Sequence, residues 1–290
     1  GVAALKSHLE QTARAFAAAL PQGRFRLAID RAFTLTGAGL VVTGSVYSGR
    51  VAVGEKLLLS PMGAEVRVRS IHVHDRPADK AQQGERAALN LAGPGARRSD
   101  ILRGDWLLHP AAHAPTRRID AEIMVLPSET RPLKHETTAH LHLGALETPC
   151  RVAVLQGRKI APGESGLVQI LTERLITTHS RDRLIVRDQS ARLTLAGGQV
   201  TDPFGPERGR ARPARLAILN AMSEKDSRAA LVALLELSAG GLDLSRFAVA
   251  RNLDDGESEA LFSAVGMVSA GGAAALEGMS PHHWQALAAR

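Results

Sequence analysis

A phosphate-binding loop for a nucleotide requires the sequence G-x-x-x-x-G-K-[ST], in which backbone N–H groups and a lysine surround the phosphates. Residues 1–7 approach this pattern only superficially, because Lys6 stands where glycine is required. Residues 202–205 spell D-x-x-G, but so short a pattern arises readily by chance, and no other nucleotide motif accompanies it. We therefore predict that this polypeptide binds no nucleotide and no cofactor by itself.

The histidines and the single cysteine offer little further chemistry. His72 and His74, like His140 and His142, are spaced i, i+2, so each pair shares one face of a predicted strand. No cluster of carboxylates or cysteines completes a metal site around them. Cys150, the one cysteine, excludes an intrachain disulfide and has no catalytic signature near it, and no G-x-S-x-G elbow is present. We predict neither a metal site nor a catalytic residue, and we expect solvated or hydrogen-bonded strand histidines.

The charge of the chain favours an anionic partner. The 290 residues include 36 Lys and Arg against 29 Asp and Glu, which gives a formal charge of +7 and a pI of about 10.3. Nucleic acid is the simplest partner for such an excess, although a biased genome composition would also produce it. The charge is uneven: +6 over residues 1–110, +5 over 111–216 and −4 over 217–290. Six Phe, two Trp and one Tyr are too few for a protein that stacks bases on aromatic rings.

The termini and the hydropathy pattern indicate the compartment. No stretch reaches the roughly 18–20 apolar residues of a membrane span, and the first residues lack the order of a signal peptide. We expect a cytoplasmic protein with no membrane partner. Because the chain begins with Gly1 and opens partway into an amphipathic helix, we also expect a fragment or a processed chain.

The elements that must position any functional residues are an N-terminal helix and two strand-rich units. Helical spacing from Leu5 to Leu20 predicts a helix over residues 2–20, ended by Pro21 and Gly23. Period-two alternation between glycine turns then predicts two β units, each a sandwich or closed barrel. The strands are expected at 25–30, 39–47, 56–60, 65–74, 86–91 and 106–109 in the first unit, and at 118–126, 136–143, 150–155, 166–177, 183–187 and 191–195 in the second.

The last part of the chain changes to helical spacing. The Pro- and Arg-rich segment 203–215 is expected to be a linker. Three short helices and a hairpin after it are typical of a winged helix-turn-helix. The predicted fold class is therefore mainly β with an α-rich C-terminal unit. Helices are expected at 214–222, 228–237, 243–252 and 260–265, with an acidic turn at 254–259, a hairpin within 267–276 and a last helix from residue 281.

An ordered series of segments resembles the second, β-barrel domain of translational GTPases. The resemblance continues through a second barrel and, more weakly, into the helical unit, so it covers essentially the whole chain. Asp30 and Arg31 stand where elongation factor Tu carries two acidic residues, and this substitution, with Arg86, is similar to the selenocysteine-specific elongation factors. The segments that carry the resemblance are FRLAIDRAFTLTGAGLVVTG (25–44), GEKL (54–57), RVRSIHVH (67–74), GERAALNLAG (84–93), RGDWLL (103–108) and RLIVRDQSARLTLAGG (183–198).

The resemblance implies a fold of two translation-factor β-barrels followed by a winged helix. The GTPase domain, with its GTP and Mg, would lie outside this chain, as would the later winged helices that bind the hairpin in selenoprotein mRNA. The implied order is the last helix of the GTPase domain at 1–24, barrel domain II with the aminoacyl pocket at 25–112, barrel domain III at 113–206, a basic linker at 207–216, a winged-helix domain at 217–278 and the start of the next winged-helix unit at 279–290.

The resemblance assigns an aminoacyl-binding role to Asp30, Arg31, His74 and Arg86. A selenol is more acidic than a thiol, so selenocysteine is largely anionic at neutral pH, and two guanidiniums would bind the anion by charge-assisted contacts. The neutral seryl group would leave those guanidiniums unpaired. Asp30 is suited to the free α-amino group, and His74 adds a donor or shapes the wall. The residues alone also fit a simpler interpretation, in which Asp30 and Arg31 form a surface pair and Arg86 is a barrel-rim charge.

Other arginines are candidates for contacts with the tRNA backbone. Arg181, Arg183 and Arg187 are predicted on one strand face, which suits either tRNA phosphates or a solvated surface. The four arginines between residues 208 and 215 either touch RNA or keep a linker soluble.

Three functions stay open at this point. The resemblance implies part of a selenocysteine-specific elongation factor, a monomer that carries selenocysteyl-tRNA to the ribosome at recoded UGA codons and uses GTP in its full length. The second function is the matching part of a factor for ordinary aminoacyl-tRNA, against which Asp30, Arg31 and Arg86 count. The third is a module that binds the ribosome or other proteins, a role that the acidic charge of residues 217–290 favours for that unit.

Overall fold

The computed structural model describes residues 1–16, 22–37, 39–93, 100–272 and 275–289. It begins with helix α1 (Val2–Phe16), which exposes Val2, Leu5 and Leu9. The helix predicted over 2–20 is thus confirmed as far as Phe16, and its last four residues lie outside the described ranges.

Barrel 1 (residues 26–108) is a closed ring of six antiparallel strands. Its described residues (26–37, 39–93 and 100–108) form nine strands: β1 (Arg26–Leu35), β2 (Gly39–Ser48), β3 (Arg50–Ala52), β4 (Lys56–Ser60), β5 (Ala64–Val73), β6 (Arg76–Ala78), β7 (Lys80–Gln82), β8 (Arg86–Ala92) and β9 (Trp106–Leu108). The ring runs β4-β9-β1-β2-β8-β5, and the pairing of β5 with β4 closes it. β6 extends the sheet beside β5, and β3 pairs with β7. Closure leaves no exposed sheet edge in the ring.

Barrel 2 (residues 115–202) is a second closed ring. Its strands are β10 (Pro115–Val125), β11 (Leu133–Lys134), β12 (Thr137–Leu143), β13 (Leu146–Val154), β14 (Lys159–Ile160), β15 (Ser165–Thr177), β16 (Arg183–Arg187) and β17 (Thr194–Asp202). The ring runs β10-β15-β13-β12-β16-β17 and closes between β17 and β10, while β11 and β14 form a separate short ribbon.

Three of the predicted strands differ from the observed ones by four residues or more at one end. β1 continues to Leu35, beyond the predicted end at Asp30, because its second half still pairs with β2. β13 starts at Leu146 rather than Cys150, and Pro149, which usually marks a strand edge or an interruption, lies inside it opposite His140.

The third difference lies at the last strand of barrel 2. The strand predicted over 191–195 is wrong in its bounds, because β17 runs from Thr194 through Gly197 and Gly198 to Asp202. A Cβ on Gly198 would lie 2.0 Å from the Glu122 carbonyl oxygen on β10. The glycine therefore permits the close approach of β17 and β10 that closes the barrel.

A helical unit (residues 213–288) follows barrel 2. Its elements are α2 (Pro213–Ser223), α3 (Ser227–Leu237), β18 (Leu242–Asp243), α4 (Leu244–Arg251), α5 (Asp255–Val265), β19 (Val268–Gly272), β20 (Ala275–Met279) and α6 (Pro281–Ala288). The short strands pair in the order β18-β20-β19. Helices α3 to α5 against this sheet form the predicted winged-helix arrangement, and the fold class of two barrels with an α-rich C-terminal unit is confirmed.

Two local expectations for the helical unit are wrong. The acidic segment 254–259, predicted as a turn, forms the start of α5, where Asp254 and Glu257 make a reciprocal capping box. The segment 203–215, predicted as a linker, ends inside α2, which begins at Pro213, a residue suited to a first helical turn. Arg215 is largely buried there and bonds Asp202 (Nη2–Oδ2 2.7 Å) and Asp120 (Nε–Oδ2 3.1 Å) of barrel 2.

The two barrels share a packed interface. Ala28, Trp106 and Leu108 of barrel 1 belong to the apolar cluster that fills barrel 2. Arg174 of barrel 2 bonds the buried Asp105 of barrel 1 (Nη1–Oδ1 3.0 Å). The barrels therefore hold each other in a fixed orientation, which matters for any ligand that touches both.

Two features are absent from the described ranges. No helix there is long and apolar enough to cross a bilayer. The same residues contain no group of three or more metal-ligating side chains placed to hold an ion.

Candidate functional site

A bulge in β1 sets the position of the first candidate residue. The register between β1 and β2 shifts between Ile29, which faces Gly44, and Arg31, which faces Thr43. Asp30 is the extra residue of this bulge, a feature that typically redirects side chains near binding sites. A Cβ on Gly44 would lie 2.0 Å from the Ala28 carbonyl oxygen. Glycine at position 44 is therefore needed for the strands to approach each other beside the bulge.

Asp30 and Arg86 form a two-pronged ion pair across strand β2. Arg86 donates from Nη1 to Oδ2 of Asp30 and from Nη2 to Oδ1 (3.1 Å), and the Thr43 hydroxyl also donates to Oδ1 (2.7 Å). Burial by itself would raise the pKa of Asp30. The hydrogen bonds from Arg86 and Thr43 and the charges of Arg86 and Arg31 outweigh it, so the pKa of Asp30 lies below its ordinary value. Asp30 is thus a carboxylate at neutral pH.

The pair is open to solvent. The Asp30 side chain is 24% exposed and that of Arg86 is 53% exposed. Exposed ion pairs contribute only about 0–1 kcal/mol to stability, because water and salt screen them. The Asp30–Arg86 pair can therefore open at little cost when a ligand offers charges in exchange.

Arg31 and His74 lie at the same end of barrel 1. His74 follows β5 in a left-handed turn (φ 51°), and the pairing of Val73 with Ala87 brings it level with Arg86. The four predicted residues thus stand on β1, on β8 and in the turn after β5, and the ring order β1-β2-β8-β5 makes these strands neighbours. Arg31 and His74 are exposed, and neither side chain is hydrogen-bonded to another described residue.

The three arginines predicted on one face of barrel 2 are only partly aligned. Arg183 and Arg187 both lie on β16 with outward positions, and Arg187 donates to the Arg192 carbonyl (Nη2–O 3.1 Å). Arg181 lies outside the strand, in a turn with φ 72°, and points toward the helical unit, where it meets the Lys225 carbonyl (Nη1–O 3.4 Å). The shared strand face therefore holds for Arg183 and Arg187 and not for Arg181.

Residues that the sequence analysis did not single out hold the barrels together beside this site. The Arg26 guanidinium pairs with both carboxylate oxygens of Asp182 (3.1 and 2.6 Å) and lies 4.5 Å from the Trp106 ring centroid. Asp182 also accepts bonds from the Thr178 hydroxyl (2.8 Å) and the His179 N–H (2.9 Å). The one available signal was an arginine within the apolar run 25–29, which is unusual for an inward-facing strand.

The helical unit docks on the start of β1. Asn252 ends α4 in a left-handed conformation, and its amide nitrogen donates to the Arg24 carbonyl (3.1 Å) and to the Ser48 hydroxyl (2.9 Å). The first turn of α5 adds two carboxylates: Glu257 accepts from the Gly23 N–H (3.2 Å), and Asp255 pairs with Arg24 (2.9 Å). The acidic end of α5 is therefore a protein contact, and its charge has the wrong sign for nucleic-acid phosphates.

Known proteins share this arrangement of barrels. Residues 39–108 match the family model described as elongation factor Tu domain 2, and residues 120–207 match that described as the β-barrel domain of selenocysteine-specific elongation factor. The fold is similar to a crystal structure of bacterial selenocysteine-specific elongation factor EF-Sec, with a TM-score of 0.69 at 24% identity over 88% of this chain and 40% of that one. The two barrels are those of a translation elongation factor.

Sequence relatives narrow the class. The chain is 38% identical to the selenocysteine-specific elongation factor of Escherichia coli K12 over 93% of its own length, and 33% identical to that of Desulfomicrobium baculatum over 88%. Elongation factor 1-alpha of Archaeoglobus fulgidus is 28% identical over 61%. The chain belongs to the selenocysteine-specific elongation factor family. It spans 42% and 40% of the length of the first two relatives.

Proposed function

We propose that this chain is the part of a selenocysteine-specific elongation factor that holds the charged end of selenocysteyl-tRNA. The observation that carries the proposal is the solvent-accessible Asp30–Arg86 pair, with Arg31 and His74 on neighbouring elements at the same end of barrel 1. The family relationship supports the same ligand, because the relatives are named for selenocysteine.

The pair is complementary to a ligand that carries both signs of charge. The aminoacyl end of selenocysteyl-tRNA offers an α-ammonium group and, a short distance away, an ionised selenol. When this end binds, its ammonium pairs with Asp30 and its selenolate pairs with Arg86. Each side chain thus exchanges one charged partner for another. Charge-assisted bonds of this kind are the strong ones, and the pair that opens is an exposed, weak one.

The seryl group of the precursor tRNA cannot complete this exchange. Its ammonium would still engage Asp30, but its neutral hydroxyl would leave Arg86 without the anion that replaces Asp30. Where the bound aminoacyl end excludes water from the pocket, a charged group left without its partner is the device by which sites reject an isostere most strongly. Arg31, which makes no hydrogen bond among the described residues, adds a second cation for the selenolate, and His74 supplies a donor or a wall.

The tRNA body would extend over barrel 2. Arg183 and Arg187 on the outer face of β16, and Arg181 in the turn before it, are proposed to meet tRNA phosphates. Such contacts release counterions, so the tRNA affinity should fall steeply as salt is added. A flat salt response would remove these arginines from the tRNA interface.

The remaining functions belong to the longer protein. GTP and Mg would be held by a GTPase domain outside residues 25–290, the mRNA hairpin by further winged helices, and the ribosome by the assembled factor, a cytoplasmic monomer. The domain boundaries given above are part of this proposal. The helical unit would act as a rigid connection, because its acidic α5 contacts residues 23 and 24.

The test compares selenocysteyl-, seryl- and uncharged tRNA by filter binding. We expect Arg31→Ala and Arg86→Ala each to weaken selenocysteyl-tRNA binding by about tenfold or more, the size of a lost bond to a charged group, with a smaller loss for seryl-tRNA. Equal losses for both charged tRNAs would contradict the discrimination and would favour a carrier of ordinary aminoacyl-tRNA.

Arg67→Ala is the matched control. Arg67 is also an exposed arginine of barrel 1, but it pairs with Ala92, six residues from Arg86 along β8 and so about 20 Å away. Its removal lowers the net charge by the same amount. It should leave the ratio of the selenocysteyl-tRNA and seryl-tRNA affinities unchanged.

A further inference from the structure

A polar cleft lies where barrel 1, barrel 2 and the helical unit meet. Its volume is about 400 Å³, within the range of roughly 300–1,000 Å³ typical of small-ligand sites. Barrel 1 contributes Ser48, barrel 2 contributes Arg181 and Arg183, and the helical unit contributes Ser227 and Arg251. Neither member of the Asp30–Arg86 pair lines the cleft, so it is a separate feature of the surface.

The carboxylates of this cleft are already engaged. Asp182 is neutralised by Arg26, which binds both of its oxygens. Glu257 accepts from the Gly23 N–H with one oxygen (3.2 Å) and from the Asp254 N–H with the other (2.8 Å). The cleft is therefore lined by four guanidiniums and two carboxylates, which leaves a net positive charge.

Among the arginines that line the cleft, Arg251 has the most buried nitrogen atoms without a hydrogen-bond partner in the described residues. Its Nη2 donates to the Met222 carbonyl (2.8 Å), while its buried Nε and Nη1 have no hydrogen-bond partner among the described residues. Burial and the nearby Arg181 lower the pKa of Arg251 to about 10, against the opposing effect of Asp226 and Glu224. Two guanidiniums that repel each other across a polar cleft are stabilised when an anion lies between them.

The backbone at Arg181 is also unusual. Arg181 adopts φ 72°, a conformation that is uncommon outside glycine and that recurs at binding sites. The Arg181 N–H bond to the Val200 carbonyl (2.7 Å) holds the turn. Ser227, the first residue of α3, also lines the cleft, and the carboxylate of the preceding Asp226 caps this helix by accepting from the Ala229 N–H (2.8 Å).

We propose that this cleft is a phosphate-binding site, in which Arg181, Arg183 and Arg251 hold one phosphate group. The group is either a phosphodiester of an RNA backbone or a free phosphate. The site does not depend on the aminoacyl pocket, and it is measured without any charged tRNA. Because Arg181 and Arg183 are also proposed to meet tRNA phosphates, this inference rests in part on the proposed function. Its failure would leave the discrimination by Arg31 and Arg86 standing, since that is tested separately with charged tRNA.

The experiment titrates the whole chain with inorganic phosphate at constant ionic strength and follows binding by phosphorus NMR and calorimetry. We expect saturable binding that Arg181→Gln and Arg251→Gln each weaken by about tenfold or more. Arg158→Gln removes an exposed loop arginine of barrel 2 outside the cleft and should leave binding unchanged. Circular dichroism checks the fold of each variant. If Arg251→Gln fails to fold, the exposed Arg181 still provides the test.

A second arm identifies the source of the phosphate. A short single-stranded RNA without terminal phosphates should displace inorganic phosphate if the site takes a backbone phosphodiester, and should leave it bound if the site takes free phosphate. Absence of saturable binding in the unaltered chain would overturn the proposal. So would a loss in Arg158→Gln equal to that in Arg181→Gln.

Discussion

Strand β1 contributes one member to each of two arginine–aspartate pairs. The two members, Arg26 and Asp30, are only four residues apart, but the pairs differ in burial and in where the partner lies. Arg26 pairs with Asp182 of barrel 2 at the barrel interface, with side chains 5% and 10% exposed. Asp30 pairs with Arg86 of its own barrel at the solvent-facing rim, with side chains 24% and 53% exposed. The same two side-chain types thus serve as a fixed joint at one end of the strand and as an exchangeable contact at the other.

Burial explains the difference. A charge pair inside the protein is costly to form, but it is also costly to break, since one uncompensated charge would stay buried. Water and salt screen an exposed pair, so its removal changes stability little. A ligand that carries both signs of charge can therefore open the Asp30–Arg86 pair, whereas no such exchange is available at the Arg26–Asp182 pair.

The largest effect is expected at the buried pair. Asp182→Ala should lower the free energy of unfolding by about 3–5 kcal/mol, because Arg26 would stay buried without its carboxylate. Asp30→Ala, the matched change at the exposed pair, should cost no more than about 1 kcal/mol. Urea unfolding followed by circular dichroism measures both. Equal losses in the two variants would show that exposure does not separate them.

His179, beside the buried Arg26–Asp182 pair, should make the folding stability sensitive to mild acid. Burial and the charge of Arg26 lower the pKa of the fully buried His179 to about 3, although Asp182 opposes the shift. Below the ordinary value of 6.5, the unfolded chain takes up a proton on this histidine and the folded chain does not. Stability present at neutral pH is therefore lost as the pH falls, by about 1.4 kcal/mol per unit, until the folded pKa is reached.

His179→Leu should flatten this part of the pH profile. Between pH 6.5 and 4.5 the unaltered chain should lose about 2–3 kcal/mol more stability than the variant. The pKa of Asp182 is held below its ordinary 3.8, so this carboxyl titrates outside that interval. The other histidines are the same in both proteins. Urea midpoints at several pH values give the slopes, and parallel slopes would exclude His179 as the cause.

Much of the surroundings of the exposed Asp30–Arg86 pair could be predicted from the sequence. The period-two runs predicted most strands of both barrels, and residues 30, 31, 74 and 86, singled out by resemblance, lie on neighbouring elements at one end of barrel 1. Their aminoacyl-binding role stays a prediction. Asp30 as the bulge residue was not foreseen, because a bulge is visible only once the register with β2 is known.

The buried joint was missed for a different physical reason. Arg26 and Asp182 are 156 residues apart, and nothing near either residue in the chain indicates a partner in another barrel. The docking of Asn252 on Arg24 is equally distant in sequence. The strand predicted over 191–195 stopped short of Gly198, whose lack of a side chain permits the close approach of β17 to the Glu122 carbonyl on β10. Contacts between units depend on packing that local periodicity does not contain.

Gly44→Ala is expected to have an intermediate effect on stability, because Gly44 lies beside the backbone bulge that positions Asp30. Gly44→Ala places a methyl group against the Ala28 carbonyl, and the forced strand shift should cost about 1–3 kcal/mol. The shift would also move the bulge that positions Asp30. We therefore expect a loss of discrimination between selenocysteyl- and seryl-tRNA in filter binding. Gly197→Ala, where a Cβ would meet only the Leu184 carbonyl at 3.8 Å, is the control and should preserve both properties.

Arg86→Ala is expected to change stability the least while it weakens ligand binding strongly. Arg86→Ala should lower the free energy of unfolding by about 0–1 kcal/mol at low salt, and by less in 1 M salt, where the screening length is about 3 Å. The same variant should lose selenocysteyl-tRNA affinity by about tenfold or more. Urea unfolding at both salt concentrations, beside filter binding, separates the two properties. A stability loss above about 2 kcal/mol that persists in high salt would make Arg86 a structural residue like Arg26, because only a buried charge resists screening.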